Sequence, residues 1–129
     1  MAAAVVEVAA AVVERDGRYL ITRRLEGTHL AGLWEFPGGK ILPGEKPEDA
    51  LRRELKEELG VEAVVGEPIE TVDWTYPEKS VRLRFFRCAL AEEPRPLEGQ
   101  EMRWVAGADL RSYTFPDADA TLIARLSGR

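Results

Sequence analysis

The run Val5-Val6-Glu7-Val8-Ala9-Ala10-Ala11-Val12-Val13 constrains the fold more than any other stretch of the chain. Glu7 is its lone charge. Valine favours extended backbone, and a run with so few polar breaks reads as a strand buried on both faces. Asp16-Gly17 is a two-residue turn signal, and Tyr19-Leu20-Ile21-Thr22 reads as the strand that returns from it. Further strands are expected over 62–65 and 69–75, broken near Gly66, then over 81–90 and 102–105. Residues 25–46 hold seven glycines and prolines and read as a loop with short extended pieces. A charged, proline-bearing loop follows over 93–99, and a helical turn over 108–111.

Two helices complete the pattern. Pro47 suits the first helical position, Glu48 and Asp49 complement the dipole of the first turn, and Gly60 supplies a stop that accepts positive φ. Lys46 makes a poor N-cap. The second helix is expected over 117–126, with Leu122, Ile123 and Leu126 on one face. Strands interrupted by two helices imply an α/β chain, a sheet covered by helices. With 129 residues, no repeat and no linker, the expectation is a single domain over 1–129.

Composition narrows the function classes. The formal net charge of −5 disfavours nucleic acid polymers and anionic membranes, so a small polyanion would need locally placed cations. Cys88 is the single cysteine, which excludes an intramolecular disulfide and a cysteine-based metal site and suits a reducing, cytoplasmic setting. Its strand-like surroundings mark it as a buried, inert thiol. The alanine-rich start, residues 1–6, lacks a basic region and runs into Glu7, so it does not read as a leader. No apolar stretch approaches the ~18 residues that span a bilayer.

The chemistry lies between Gly39 and Val61. Glu54, Glu57 and Glu58 stand at i, i+3 and i+4, so three carboxylates share one helical face beside the stripe Leu51, Leu55, Leu59. Arg52, Lys56 and Asp49 take the solvated side. Like charges at this spacing repel, and more strongly beside a core. A divalent cation turns the repulsion into ligation. Carboxylate oxygen suits Mg²⁺, with Mn²⁺ the alternative, and the lack of cysteine and nearby histidine argues against zinc. Taken alone, the triple reads as an ordinary charged, solvated helix face. The loop in front of it tips the balance. Gly38, Gly39 and Gly44 allow close backbone approach to an anion, Lys40 adds a positive charge, and Glu45 and Arg53 are placed to pair across loop and helix.

Gly39, five residues, Glu45, seven residues, Arg53-Glu54-Leu55, one residue, Glu57-Glu58, one residue, Gly60-Val61 resembles a complete Nudix box, with no required position departing. The resemblance implies a Nudix fold, an α/β/α sandwich around a mixed β-sheet. It implies divalent metal on Glu54, Glu57 and Glu58, with Gly39 beside them, and a structural pair in Glu45 and Arg53. Outside the box, Ile21-Thr22-Arg23-Arg24, Glu35-Phe36-Pro37-Gly38-Gly39-Lys40 and Phe115-Pro116 resemble the MutT group of the superfamily. Leu33-Trp34-Glu35-Phe36 is also similar to relatives that act on cytosine nucleotides.

Carried over position by position, Glu98 matches a further carboxylate that ligates metal or activates water, with Glu101 the fallback. Arg24 and Lys79 match positions near the nucleotide. Lysine replaces the group's arginine at Lys79 and offers a point charge instead of a bidentate fork. His29 matches a histidine beside the site, or is a plain loop histidine. Phe36 lines the base pocket or packs the core. Asp119 stands where the MutT group has a base-reading asparagine. Ionised aspartate only accepts hydrogen bonds, which suits the amino group of cytosine, whereas protonated aspartate also suits 8-oxoguanine. It is alternatively a first-turn helix acid.

The resulting expectation is a Mg²⁺-dependent nucleoside triphosphate pyrophosphohydrolase of MutT type, monomer or weak dimer, clearing oxidised nucleotides such as 8-oxo-dGTP. CTP or modified dCTP is the alternative substrate. ADP-ribose chemistry, a non-catalytic nucleotide sensor and the MutT-like domain of adenine glycosylases are the competing readings.

Overall fold

The structure is a computed structural model and describes residues 5–128. Of the segment weighed as a leader, residues 1–4 lie outside the described residues. The elements, in order, are β1 (Val5–Arg15), β2 (Arg18–Arg23), β3 (Trp34–Glu35), β4 (Gly38–Lys40), α1 (Pro47–Leu59), β5 (Ala63–Thr75), β6 (Ser80–Leu90), β7 (Met102–Ala106) and α2 (Ala120–Leu126). Two 3₁₀ segments, Gly107–Ser112 and Asp117–Asp119, precede α2.

The strands form one seven-stranded mixed sheet, ordered β3-β2-β1-β6-β5, with β4 paired to β1 and β7 to β2. β1 runs parallel to β6 over 5–13, and the remaining pairs are antiparallel. β1 changes neighbour along its length. Val8–Ala10 pair with β4, and Glu14–Arg15 pair with β2. The β1–β2 turn has φ of 54° at Asp16 and 77° at Gly17, the two positive values that a tight hairpin of right-handed twist demands.

The two-faced burial expected of β1 is observed. Ala10 and Val12 enter a core with Ile21, Phe36, Phe85, Leu122 and Leu126 of α2. Ala9, Ala11 and Val13 enter the opposite core with Leu20, Phe86 and the α1 stripe. The sheet therefore lies between α1 and α2, an α/β/α sandwich. Leu51, Leu55 and Leu59 are fully buried, each contributing roughly 1.5–3 kcal/mol on leaving water. Gly60 closes α1 at φ 68°, and Lys46 makes no side-chain cap. Cys88 is buried, and burial pushes its thiol up to about 12, which keeps it inert.

Two boundaries differ from the sequence expectation. β5 is one continuous strand, not two. Register shifts around Pro68 absorb the irregularity, and β5 is an edge strand, where the missing proline N–H costs no ladder bond. The last helix begins as the 3₁₀ turn Asp117–Asp119 and becomes α-helical only at Ala120. Among the described residues no helix is long and apolar enough to cross a membrane.

Candidate active site

A cleft of about 500 Å³ opens beside β1, β6 and the N-terminal approach to α1. Glu54, Glu58 and Glu98 line it together with Gly39 and Lys40. Glu57 does not. At about 100° per residue, Glu58 lies roughly 60° from the centre of the leucine stripe, Glu54 roughly 100°, and Glu57 roughly 160°. The expectation that all three carboxylates flank the core therefore needs correction at Glu57. Its side chain is half exposed and lies 3.8 Å from the Arg53 guanidinium.

The loop before α1 is held by the predicted pair. The Arg53 Nε and Nη2 groups donate to the two oxygens of Glu45 at 3.0 Å each, and Nη2 also donates to the Lys40 carbonyl. Glu45 additionally accepts from the Leu42 backbone N–H. These bonds hold the Glu45 carboxyl below its usual range, the Arg53 contact foremost. The Nη1 group of Arg53 donates to Glu54 at 2.8 Å, so one guanidinium fixes both the loop and the first cleft carboxylate. Gly38 and Gly39 are required by close approach. A methyl group at Gly38 would strike the backbone of Ala9 and Ala10, and one at Gly39 would overlap the Glu54 carboxyl.

Glu58 is the most perturbed carboxylate. Burial foremost, then hydrogen bonding to Glu54 and repulsion from Glu35, Glu54 and Glu98, hold it far above the ordinary carboxylate range. Glu35 is also raised, by burial, although Arg24 donates to it at 2.6 Å and opposes the shift. Four carboxylates thus crowd one end of the cleft.

Cations and the remaining candidates face them. Arg24 also donates to the His29 carbonyl, while Lys79 and Lys40 line the wall. Burial, then repulsion from Lys40 and Arg24, lowers the Lys79 ammonium. The His29 ring packs edge-on to Tyr76 at 5.3 Å. Its Nε2 lies 2.9 Å from Glu78 but off the line a hydrogen bond needs. Phe36 lines the cleft and packs against Phe85 and Phe115. Asp119 is 4% exposed, lines the cleft, and makes no cap bond to α2. Burial foremost, then the charge of Glu35, pushes its carboxyl up to about 7. Glu101 lies apart, paired with Arg23 at 2.8 Å and Arg103 at 3.5 Å.

Among the described residues, no three of these side chains form a finished ligand shell, since Glu54 is engaged by Arg53 and Glu57 is turned aside. The donor chemistry nevertheless fits a hard divalent cation. Only oxygen donors converge at this end of the cleft, and their mutual repulsion is the state a cation relieves.

Residues 8–125 match the NUDIX domain family. The chain belongs to the Nudix family. Its relatives include the 8-oxo-dGTP diphosphatase of Haemophilus influenzae, 42% identical over 95% of this chain and 91% of that protein. The CTP pyrophosphohydrolase of Escherichia coli is 36% identical over 92% of this chain and 88% of its own length. The crystal structure of a MutT Nudix hydrolase from Burkholderia pseudomallei superposes with a TM-score of 0.85 at 27% identity, covering 95% of this chain and 98% of that one.

Three residues of this Nudix hydrolase were not singled out by its sequence. Glu35 lines the cleft, and its charge raises the carboxyls of both Glu58 and Asp119. Tyr76 accepts the Ala118 backbone N–H through its hydroxyl at 3.2 Å, holding the segment that carries Asp119. Gln100 is 7% exposed and bridges two elements. The polar Glu35 between Trp34 and Phe36 was a readable signal; Tyr76 and Gln100 gave none.

Proposed function

We propose that this Nudix hydrolase converts nucleoside triphosphates and water into nucleoside monophosphates and pyrophosphate with Mg²⁺, Mn²⁺ being a substitute. The observation that carries the reading is the cleft itself, lined together by the carboxylates Glu54, Glu58 and Glu98, the cations Arg24, Lys40 and Lys79, and the buried Asp119. Glu54, Glu58 and Glu98, together with the carbonyl of Gly39, would supply the donors, and Glu57 completes the acidic face of α1. When bound there, Mg²⁺ neutralises phosphate oxygens and makes water a better nucleophile. Arg24, Lys40 and Lys79 hold the phosphate chain, with His29 at its side. Glu98 accepts the proton of the attacking water. The water oxygen joins the β-phosphorus, the bond from that phosphorus to the α–β bridging oxygen breaks, and pyrophosphate separates from the monophosphate.

Asp119 and Phe36 form the base end. A carboxyl that titrates near neutrality offers both donor and acceptor, which supports an oxidised purine such as 8-oxo-dGTP. Its ionised form supports a cytosine nucleotide as the second reading. Removing such nucleotides before polymerases use them is a DNA repair function. It suits the cytoplasm and a monomer or weak dimer acting on a small molecule.

The test is pyrophosphate release from 8-oxo-dGTP, CTP and modified dCTP, with AMP formation followed for ADP-ribose, whose cleavage yields AMP and ribose 5-phosphate. Glu58→Gln should lower kcat on the preferred triphosphate by about 100-fold or more in saturating Mg²⁺. Undiminished turnover by that variant would sink the assignment.

A further inference from the structure

The inference concerns Gln100 and rests on the proposed role of Glu98. The last carbonyls of any α-helix have no partner within it. In α1 these belong to the turn that carries Glu58. Leu59 accepts from the Arg95 N–H at 3.0 Å, and Glu58 accepts from the Leu97 N–H at 3.0 Å. The β6–β7 loop is thereby laid across the end of the helix. The Glu58 carbonyl accepts a second bond, 3.2 Å, from the side-chain Nε2 of Gln100. The Oε1 of the same amide accepts the Glu98 backbone N–H at 2.9 Å. Gln100 also lines the cleft.

We propose that Gln100 is a positioning residue whose buried amide fixes the Glu98 carboxylate against the Glu58 turn of α1. The orientation of the amide is dictated by its partners, because the Glu98 N–H can only donate and the Glu58 carbonyl can only accept. Among side chains of this length, only the amide supplies one donor and one acceptor at every pH. Methionine fills the space and makes neither bond. Ionised glutamate keeps the acceptor but turns a second oxygen toward the Glu58 carbonyl, so lone pairs face lone pairs, and the Gln100→Glu variant is therefore read at high pH. Glu98 sits in a turn that the Gly99 N–H closes on the Pro96 carbonyl at 3.3 Å, with Gly99 at φ 78°, and the backbone bonds at Arg95, Leu97 and Gly99 leave the Glu98 N–H to the Gln100 side chain.

The experiment compares Gln100→Met, Gln100→Glu, Glu98→Gln and the double variant Gln100→Met/Glu98→Gln. Pyrophosphate release is measured on all four, and amide hydrogen exchange on the metal-free proteins. Each Gln100 variant should lose about 10- to 100-fold in kcat, the cost of freeing a group that orients a reacting one, with KM for nucleotide nearly unchanged. Exchange at the Glu98 amide should accelerate while Leu51–Leu55 of α1 stay as protected as before, which also shows that the variant is folded. Because Gln100 acts through Glu98, the double variant should be no slower than Glu98→Gln alone.

Losses that multiply in the double variant would overturn the inference. So would an unaltered kcat or Glu98 exchange rate in both Gln100 variants while Glu98→Gln is crippled, a result that leaves the role of Glu98 standing. Full activity in Glu98→Gln would overturn that role first, and this inference with it.

Discussion

Asp119→Asn tests the cleft through stability as well as catalysis. The carboxyl ordinarily titrates at 3.8 and is pushed up to about 7 by burial and by Glu35, with Arg24 pulling the other way. At about 1.4 kcal/mol per decade of acid strength, keeping the ionised form in place costs the fold about 4 kcal/mol. The sign follows from proton counts. Between pH 4 and pH 7 the folded chain holds a proton that the unfolded chain has released, so stability falls as pH rises and the loss is complete above 7. Asparagine is nearly isosteric and has nothing to release. Guanidinium unfolding at pH 5 and pH 8 should therefore show the variant gaining on the parent by roughly 2–3 kcal/mol more at the higher pH. Glu58 titrates in both proteins and cancels in the comparison, whereas the part of the Asp119 shift that comes from Glu35 belongs to the expected difference. Parallel pH profiles would refute the argument, because they would mean that the carboxyl is hydrated or paired. In the same proteins, the ratio of 8-oxo-dGTP to CTP turnover should change if Asp119 reads the base.

The adjacent glycines should behave differently. Gly38→Ala forces a methyl group into the β1 backbone and should cost about 1–3 kcal/mol in chemical denaturation. Gly39→Ala meets first the Glu54 carboxyl, the far end of a side chain that can give way, so it should cost less stability than Gly38→Ala and lose activity in the pyrophosphate assay. Arg53→Lys keeps the charge but not the fork that binds Glu45, Lys40 and Glu54 together. It should lose about 1–3 kcal/mol of stability, and kcat with it, measured by unfolding and turnover side by side.

Local patterns account well for whatever depends on neighbours along the chain. Asp16-Gly17 named its turn, Gly60 ended its helix, and Leu51, Leu55 and Leu59 named the buried stripe. Helical spacing also grouped Glu54, Glu57 and Glu58. It did not say which would meet the cleft, because that depends on where β1 and the 91–101 loop arrive around the helix. The continuity of β5 was hidden for a related reason. Pro68 and Gly66 look like breaks until the strand is known to lie at the sheet edge. Glu35 and Gln100 acquire their roles only through partners distant in sequence, Arg24 and Glu98 for the first and Glu58 for the second.

β1 has a consequence for how the molecule comes apart. Its odd-numbered residues from Ala9 to Val13 serve the α1 layer, and Ala10 and Val12 serve the α2 layer. A slip of one position would exchange the two sets, presenting alanines where valines are fitted and the reverse. Neither helical layer can then be peeled away while the other keeps its footing, since both pack on the same stretch of β1, Ala9 to Val13. Unfolding is drawn toward one all-or-none event, and the carboxylate end and the base end of the cleft persist or vanish together.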